Sequence, residues 1–379
     1  MSRARLFVAL LVALTAPLLL LQGLANARIA PGPIGWNGFW QADVAQAYLQ
    51  FDEKNGELEL AVQDGGKAMA MAAFSQEPLA TNALFLFAAD YRSQGNFEAM
   101  TELLSIGSAL DRRNHRIGAM QLEQAGLAGD LEQTFEIIDR LVRTNPRMAG
   151  DFVRPLSLAL EDERLIPEVR ERLDEGVSWD GTFWNTMPET RRGVTNMYTL
   201  RGMTQSGASP ASDARLLAAL ARVGALDEAL DFWALLSGPS ANELGFTLST
   251  DFAPVGWQVE RSSDRSFSAS GLNLFDIYVE DQTFGELARQ LVRLKPGAYS
   301  FTARVSPASA AGGLEASLEC ATGDRSAIPT FDTQLLADEA IWSVDESCEV
   351  YWLVLSGTAW TRRSPLRASI SDMQLLPAD

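Results

Sequence analysis

The residue types that carry out catalysis or bind metals are few in this chain. It holds one histidine, His115, and two cysteines, Cys320 and Cys348. A single histidine excludes metal sites built from several histidines and argues against a serine–histidine triad. A nucleophilic cysteine needs a neighbouring base, and His115 lies far in sequence from both cysteines. We therefore predict that Cys320 and Cys348 form a disulfide, as is typical of an exported chain.

Carboxylates are abundant, with 49 aspartate and glutamate residues in the chain. A glycosidase needs two carboxyl groups, one on each side of the bond that it cleaves. The candidates are Glu315 with Glu319, and a second group formed by Asp276, Glu280 and Asp281. Glu315 and Glu319 alternate with apolar residues, which is typical of the solvent-facing side of a strand. The second group offers the hard oxygen ligands that suit a structural Ca²⁺ ion.

The sequence shows no recognisable catalytic constellation. Gly65-Gly66 and Gly312-Gly313 lack the flanking residues of a phosphate-binding loop. We therefore predict a protein that is not an enzyme and has no cofactor, apart from the structural Ca²⁺ ion considered above. A glycan-active enzyme that uses a pair of carboxylates is the alternative from a different class of function.

The charge balance excludes two kinds of partner. The net charge is −18, and only three of the 31 basic residues are lysines. Removal of residues 1–27 would take away Arg3 and Arg5 and make the balance still more negative. A surface of this kind repels nucleic acids and anionic lipid headgroups, so we expect neither as a partner.

The N-terminal segment has the layout of a secretory signal peptide. Arg3 and Arg5 precede an apolar run over residues 6–21, and Ala25-Asn26-Ala27 provides a small-x-small ending. Residues 1–27 are predicted to be a cleaved signal peptide, or residues 6–24 a retained membrane anchor. Both alternatives place the rest of the chain outside the cytoplasm, in the periplasm of a Gram-negative host. The membrane is then contacted only through this segment.

A helical region is predicted in the N-terminal half of the chain, and it would position any functional site there. Gly95-Asn96-Phe97-Glu98 and Gly129-Asp130-Leu131-Glu132 carry the same turn-then-helix pattern, 34 residues apart. This period resembles that of the tetratricopeptide repeat, a pair of antiparallel helices that stacks on its neighbours to form an α-solenoid. The resemblance implies a concave groove that binds an extended peptide or a helix of a partner protein.

Further helices are predicted on both sides of these two pairs. Helical spacing of apolar residues covers residues 36–51 and 57–74 before them, and 152–160 and 165–173 after them. Residues 179–202 are irregular, and a family-like pattern returns at residues 216–233. The irregular part contains Trp179, Phe183 and Trp184, which are more aromatic rings than one face of a helix can bury. They are predicted to form an exposed patch that contacts a partner.

The C-terminal third is predicted to be an antiparallel β-sandwich. Ser237-Gly238-Pro239-Ser240 reads as the linker, and strand-like alternation follows it. The predicted strands are residues 257–260, 272–279, 298–305, 314–320, 350–355 and 366–373. Several short strands at this spacing indicate a sandwich of the jelly-roll type.

Two segments of this third resemble strands of galactose-binding-like jelly rolls, the fold of many carbohydrate-binding modules. They are residues 294–305, which start with Leu294-Lys295-Pro296-Gly297, and residues 251–257, which end with Trp257. The resemblance implies that aromatic rings stack on sugars at a strand face or at loop tips. The candidate rings are Trp342, Trp352 and Trp360, with Tyr278 and Tyr351 behind them. Of these, Trp360 lies in a predicted loop and is the ring most expected to be exposed.

The predicted fold class is therefore multi-domain α + β. A helical-repeat domain over residues 34–238 precedes a β-sandwich domain over residues 242–379. The leading functional hypothesis is a non-catalytic adaptor of the cell envelope, which holds a protein partner in the helical groove. Its sandwich would contact a polysaccharide or a second protein, in a role such as exopolysaccharide assembly. A third hypothesis is a structural sandwich that only covers the end of the helical stack.

Overall fold

The computed structural model describes residues 37–378, except residues 55–56, 238–245, 272, 322–333 and 336–339. The predicted signal peptide or anchor and most of the predicted linker at 237–240 lie outside the described residues. Helices occupy residues 38–237 and antiparallel sheets occupy residues 258–377, so the predicted α + β class is confirmed. None of the described helices combines the length and the apolar character needed to cross a bilayer.

The chain forms two compact units, the first ending at Phe152 and the second beginning at Val153. The second unit thus contains both the later helices and the sandwich. The predicted domain boundary near residues 238–242 stays a prediction, because it falls largely on residues outside the described ranges.

The first unit is mainly helical. Its helices are α1, Gly38–Ala45; α2, Asp64–Gln76; α3, Thr81–Ser93; α4, Phe97–Leu110; α5, His115–Ala128; and α6, Leu131–Thr144. Helix α7, Ala149–Ala159, contains the division between the two units. The predicted helical pairs around Gly95 and Gly129 are α3 with α4 and α5 with α6.

The same local chemistry builds the turn of each pair. Gly95 and Gly129 have φ angles of 74° and 70°, a left-handed conformation that a glycine adopts without steric cost. The next residue caps the following helix, because Asn96 accepts a hydrogen bond from the Ala99 amide at 3.2 Å. Asp130 accepts one from the Gln133 amide at 3.0 Å. These local interactions explain why the turns could be predicted from sequence.

The predicted helices at residues 36–51 and 57–74 are wrong over part of their length. A β-hairpin lies between α1 and α2, formed by β1, Leu49–Lys54, and β2, Glu57–Val62. Residues 57–60 read Glu-Leu-Glu-Leu, which alternates with the period of a strand. The two residues between the strands are Asn55-Gly56, a sequence typical of a hairpin turn. The helical spacing of the flanking apolar residues favours a helix here, and the short alternating segment is too brief to indicate a strand against it.

The remaining helices belong to the second unit. They are α8, Ile166–Asp174; α9, Asp180–Asn185; α10, Arg191–Met203; α11, Pro210–Arg222; and α12, Leu226–Ser237. Arg201 on α10 and Asp213 on α11 form a buried, two-pronged ion pair, with N–O distances of 2.8 and 3.1 Å. This geometry fixes the orientation of the two helices, since a planar guanidinium meets a carboxylate in one plane.

Two five-stranded antiparallel sheets form the sandwich. The strands are β3, Gln258–Val259; β4, Arg265–Gly271; β5, Leu274–Val279; β6, Phe284–Arg293; β7, Gly297–Ser306; β8, Leu314–Cys320; β9, Gln334–Leu335; β10, Ala340–Val344; β11, Val350–Thr358; and β12, Leu366–Pro377. One sheet has the order β10-β7-β12-β5-β4 and the other β3-β6-β11-β8-β9. Inward-facing aromatic residues fill the space between them, including Phe267 and Phe275, whose rings stack at 4.7 Å.

Four of these strands were not predicted from the sequence: β4, β6, β9 and β10. Strand β6 contains Glu286, Arg289 and Gln290 among its apolar residues, so its alternation is broken. Gln290 is nevertheless fully buried, because its amide donates hydrogen bonds to the carbonyls of Thr247 and Val255 at 2.9 and 2.8 Å. A hydrophobic pattern does not identify a buried polar residue whose amide hydrogens are bonded in this way.

The predicted disulfide is confirmed. Cys320 at the end of β8 is bonded to Cys348, two residues before β11, with a Cα–Cα distance of 6.0 Å. The bond therefore ties two neighbouring strands of one sheet together at the same end.

Candidate functional site

The three candidate tryptophans of the sandwich lie in different environments. Trp342 on β10 is buried in the core, so the prediction that it binds a ligand is wrong. Trp352 on β11 is half-buried, and the guanidinium of Arg289 lies 4.5 Å from its ring centroid. Trp360 follows β11 and is 62% exposed. Trp342 faces the core because side chains alternate between the two faces of a strand, whereas Trp360 lies in the loop that follows β11.

Trp360 is paired with a second exposed ring that sequence reasoning missed. Phe284, the first residue of β6, is 64% exposed, and its ring centroid lies 5.7 Å from that of Trp360 in an edge-to-face arrangement. We call these two residues the aromatic pair. Phe284 was missed because β6 was not predicted, and nothing in the sequence indicated that it would be close to Trp360.

Backbone hydrogen bonds between two loops hold the aromatic pair together. The amide of Ala359 donates to the carbonyl of Thr283 at 2.8 Å, and the amide of Gln282 donates to the carbonyl of Ala359 at 3.0 Å. The side chain of Arg265 supports the start of β6 by donating to the carbonyls of Phe284 and Glu286. Both rings therefore project from backbone that is fixed on either side of them.

The two tyrosines that are secondary candidates for ligand binding on the sandwich are less exposed than the aromatic pair. Tyr351 is fully buried, and its hydroxyl donates to the carbonyl of Cys348 at 2.8 Å. Tyr278 is half-buried, with the guanidinium of Arg367 5.0 Å from its ring centroid. The aromatic pair is thus the part of the sandwich where flat apolar rings are most open to a ligand.

The predicted partner-binding aromatic residues of the helical region are buried. Trp179, Phe183 and Trp184 are at most 1% exposed, and their rings pack edge-to-face at 5.9 and 5.2 Å. The indole of Trp184 donates to the carbonyl of Ser206 at 2.6 Å. The prediction of an exposed patch is wrong, because the short helix α9 is enclosed by α11 and by the loop that precedes α11.

A groove lies in the first unit, between the β-hairpin and the helices that follow it. It encloses about 420 Å³. We define it by the residues that line it, which include Phe51, Phe85, Arg116, Met120 and Met148. Phe51 on β1 is 71% exposed at its edge, and Phe85 on α3 forms part of its floor. An apolar floor with an exposed aromatic edge is suited to the side chains of a bound protein segment.

A second cavity of about 470 Å³ lies beside the groove. Arg92, Met120 and Glu123 line both. Arg92 and Glu123 form an ion pair, with Nη2 and Oε1 2.6 Å apart. This pair therefore separates two apolar depressions, and the exposed side chains of Phe97 and Leu127 border the second one.

The candidate carboxylates are spread over the sandwich. Glu315 and Glu319 are half-buried on β8, while Asp276 on β5 accepts a hydrogen bond from the Ser369 hydroxyl at 2.9 Å. Glu280 and Asp281 lie in the turn after β5. Among the residues that the structure describes, no three histidine, cysteine or carboxylate side chains are placed to hold a metal ion. The predicted Ca²⁺ group is therefore not assembled as a site.

Burial raises the pKa of the Glu286 carboxyl on β6. The positive charge of Arg289 opposes this rise, whereas the negative charges of Glu260 and Glu319 reinforce it. By contrast, hydrogen bonds from Ser262 and Ser347 lower the pKa of Asp264 and of Asp345, two other carboxylates of the sandwich.

No protein-family model matches the sequence, and the search of curated proteins found no match either.

Proposed function

We propose that this protein is a non-catalytic adaptor that binds a glycan through its sandwich and a protein through its helical unit. The observation that carries the proposal is the aromatic pair, in which Phe284 and Trp360 are both more than half exposed. Contiguous exposed apolar surface marks interaction sites on many proteins. Their apolar faces suit the C–H faces of sugar rings, and their edge-to-face packing fixes the angle between them.

The compartment proposed for this role is the cell envelope, as in exopolysaccharide assembly. The Cys320–Cys348 disulfide supports this placement, because disulfides persist in oxidising compartments outside the cytoplasm. The N-terminal segment, with its charged start and apolar run, gives the same indication from sequence.

Affinity electrophoresis tests the glycan-binding role. Full-length protein is run through gels cast with dextran, hydroxyethyl cellulose or alginate, beside Trp360→Ala and Phe51→Ala. We expect retardation by at least one polysaccharide, and its loss in Trp360→Ala. Phe51→Ala is the matched control, because it removes an exposed aromatic ring from the other unit. Retardation that is equal in all three proteins, or absent in every gel, would contradict the proposal.

A structural role for the sandwich is the second candidate. Helix α12 packs against β6, and the ring of Trp233 lies 5.4 Å from that of Phe252, near the start of the sandwich. If the sandwich only covers the helices, a chain that ends at Ser237 should aggregate or lose helical circular dichroism. If it is an independent binding module, the shortened chain should remain soluble and helical.

A further inference from the structure

The first unit carries four arginines near two of its turns. Arg112, Arg113 and Arg116 lie at the turn between α4 and α5, and Arg147 lies just before α7. None of the four forms an ion pair with another described residue, in contrast to Arg92, which pairs with Glu123. We call these four residues the arginine patch. These arginines stay unpaired within the described residues although the chain has a net charge of −18 and 49 acidic residues.

The two loops that carry the arginine patch are neighbours. The side-chain amide of Asn145, two residues before Arg147, donates to the carbonyl of Arg113 at 3.4 Å. Burial and then the positive charge of Arg112 lower the pKa of Arg140 on α6, whereas the negative charge of Glu136 raises it. The Arg140 guanidinium donates to two uncharged acceptors, Ser108 at 3.0 Å and Gln121 at 2.7 Å.

Two of the acidic groups near the arginine patch bond to other groups. Asp111 accepts hydrogen bonds from the amide of Arg113 at 3.0 Å and from the hydroxyl of Thr81 at 3.3 Å. Asp139 pairs with Arg143 at 2.8 Å. Arg112, Arg113 and Arg147 are exposed, and Arg116 is half-buried.

The arginine patch is continuous with the groove. Arg116 lines the groove together with Phe85 and Met120, and Arg147 directly precedes Met148, which lines it too. One end of the groove is thus basic while its floor is apolar. Arginine binds carboxylates through two parallel hydrogen bonds, which gives direction as well as affinity.

From this arrangement we infer that the groove binds an extended protein segment in which acidic side chains adjoin apolar ones. The acidic side chains contact the arginine patch, and the apolar ones lie over Phe85 and Met120. The inference rests on the proposed protein-binding role of the groove and names the chemistry of its partner. At physiological salt, charges act over only about 8 Å, so the patch attracts such a segment locally although the whole chain is acidic.

A peptide array tests this inference. Labelled full-length protein is applied to an array of random peptides of about twelve residues, which reach about 40 Å in extended form. The same array is probed with the double variant Arg112→Glu and Arg116→Glu, and with Arg222→Glu. Arg222 is an exposed arginine of α11 in the second unit, so its reversal controls for the change of charge. Circular dichroism establishes that each variant is folded.

We expect the bound peptides to be enriched in acidic residues beside leucine, phenylalanine or tryptophan. The double variant should lose about tenfold or more of the signal on these peptides, which corresponds to about 1.4 kcal/mol of binding free energy. Arg222→Glu should retain the signal. Bound peptides that are neutral or basic, or that bind the double variant equally well, would overturn the inference while leaving the groove as a protein-binding site. An array without bound peptides would overturn both the inference and the protein-binding role.

Discussion

Arg293 on strand β6 donates a hydrogen bond to Asp231 on helix α12, with Nη1 and Oδ1 2.8 Å apart. Its other terminal nitrogen donates to the carbonyl and the carboxylate of Asp227, at 3.0 and 3.3 Å. One guanidinium thus joins the last helix to the sandwich through two carboxylates. This contact lies within the second compact unit, which contains both the later helices and the sandwich.

Replacement of Arg293 is expected to lower the stability of the second unit modestly. Arg293→Gln removes both ion pairs, but the side chains are partly exposed, so we expect a loss of about 1 kcal/mol in the free energy of unfolding. Arg304→Gln is the control, since Arg304 pairs with Asp372 within the sandwich at 3.4 Å and both are well exposed. Urea unfolding followed by tryptophan fluorescence measures both. An equal, negligible loss in the two variants would show that Arg293 does not hold the helix to the sandwich.

The buried aromatic cluster of the helical region should contribute strongly to stability. Trp184→Ala removes a fully buried ring and leaves the carbonyl of Ser206 without its indole donor. We expect a loss of about 3–5 kcal/mol in the free energy of unfolding, as for other large-to-small changes in a core. Trp360→Ala is the matched control, because the same substitution at an exposed site should cost less than about 0.5 kcal/mol. Similar losses in the two variants would contradict the difference in burial.

The parts of the fold that could be predicted from sequence are those set by neighbouring residues. The turns at Gly95 and Gly129 require only the conformational freedom of glycine and a capping residue directly after it. The disulfide could be predicted because the chain has only two cysteines and its N-terminal segment indicates export to an oxidising compartment. The burial of Trp184 depends instead on α11 and on the loop before it, which cover the ring. These residues are distant in sequence, so no local pattern predicts the contact. Phe284 and Trp360 meet through the pairing of distant strands, so sequence reasoning identified one ring of the aromatic pair and not the other.

The disulfide is expected to stabilise the sandwich. It closes a loop with a sequence separation of 28, which on the chain-entropy model corresponds to about 3–4 kcal/mol. The double variant Cys320→Ala and Cys348→Ala should therefore unfold at a lower urea concentration than the oxidised protein. Reduction of the wild-type protein should produce a similar decrease and should leave the double variant unchanged. A variant as stable as the oxidised protein would show that the strands are held without the bond.

Glu286 should make stability depend on pH in a defined direction. Burial raises its folded-state pKa above the unfolded value of about 4.3, so the folded protein binds this proton more tightly. Its contribution is most favourable below the unfolded pKa and is lost as pH rises through the folded pKa. Glu286→Gln cannot ionise, so relative to wild type it should gain stability from pH 4 to pH 7, and the positive charge of Arg289 limits this gain. Glu315→Gln controls for the loss of one negative charge from the same sheet, and urea unfolding at both pH values measures the difference. A gain that is equal at the two pH values, or equal in the two variants, would exclude Glu286 as its source.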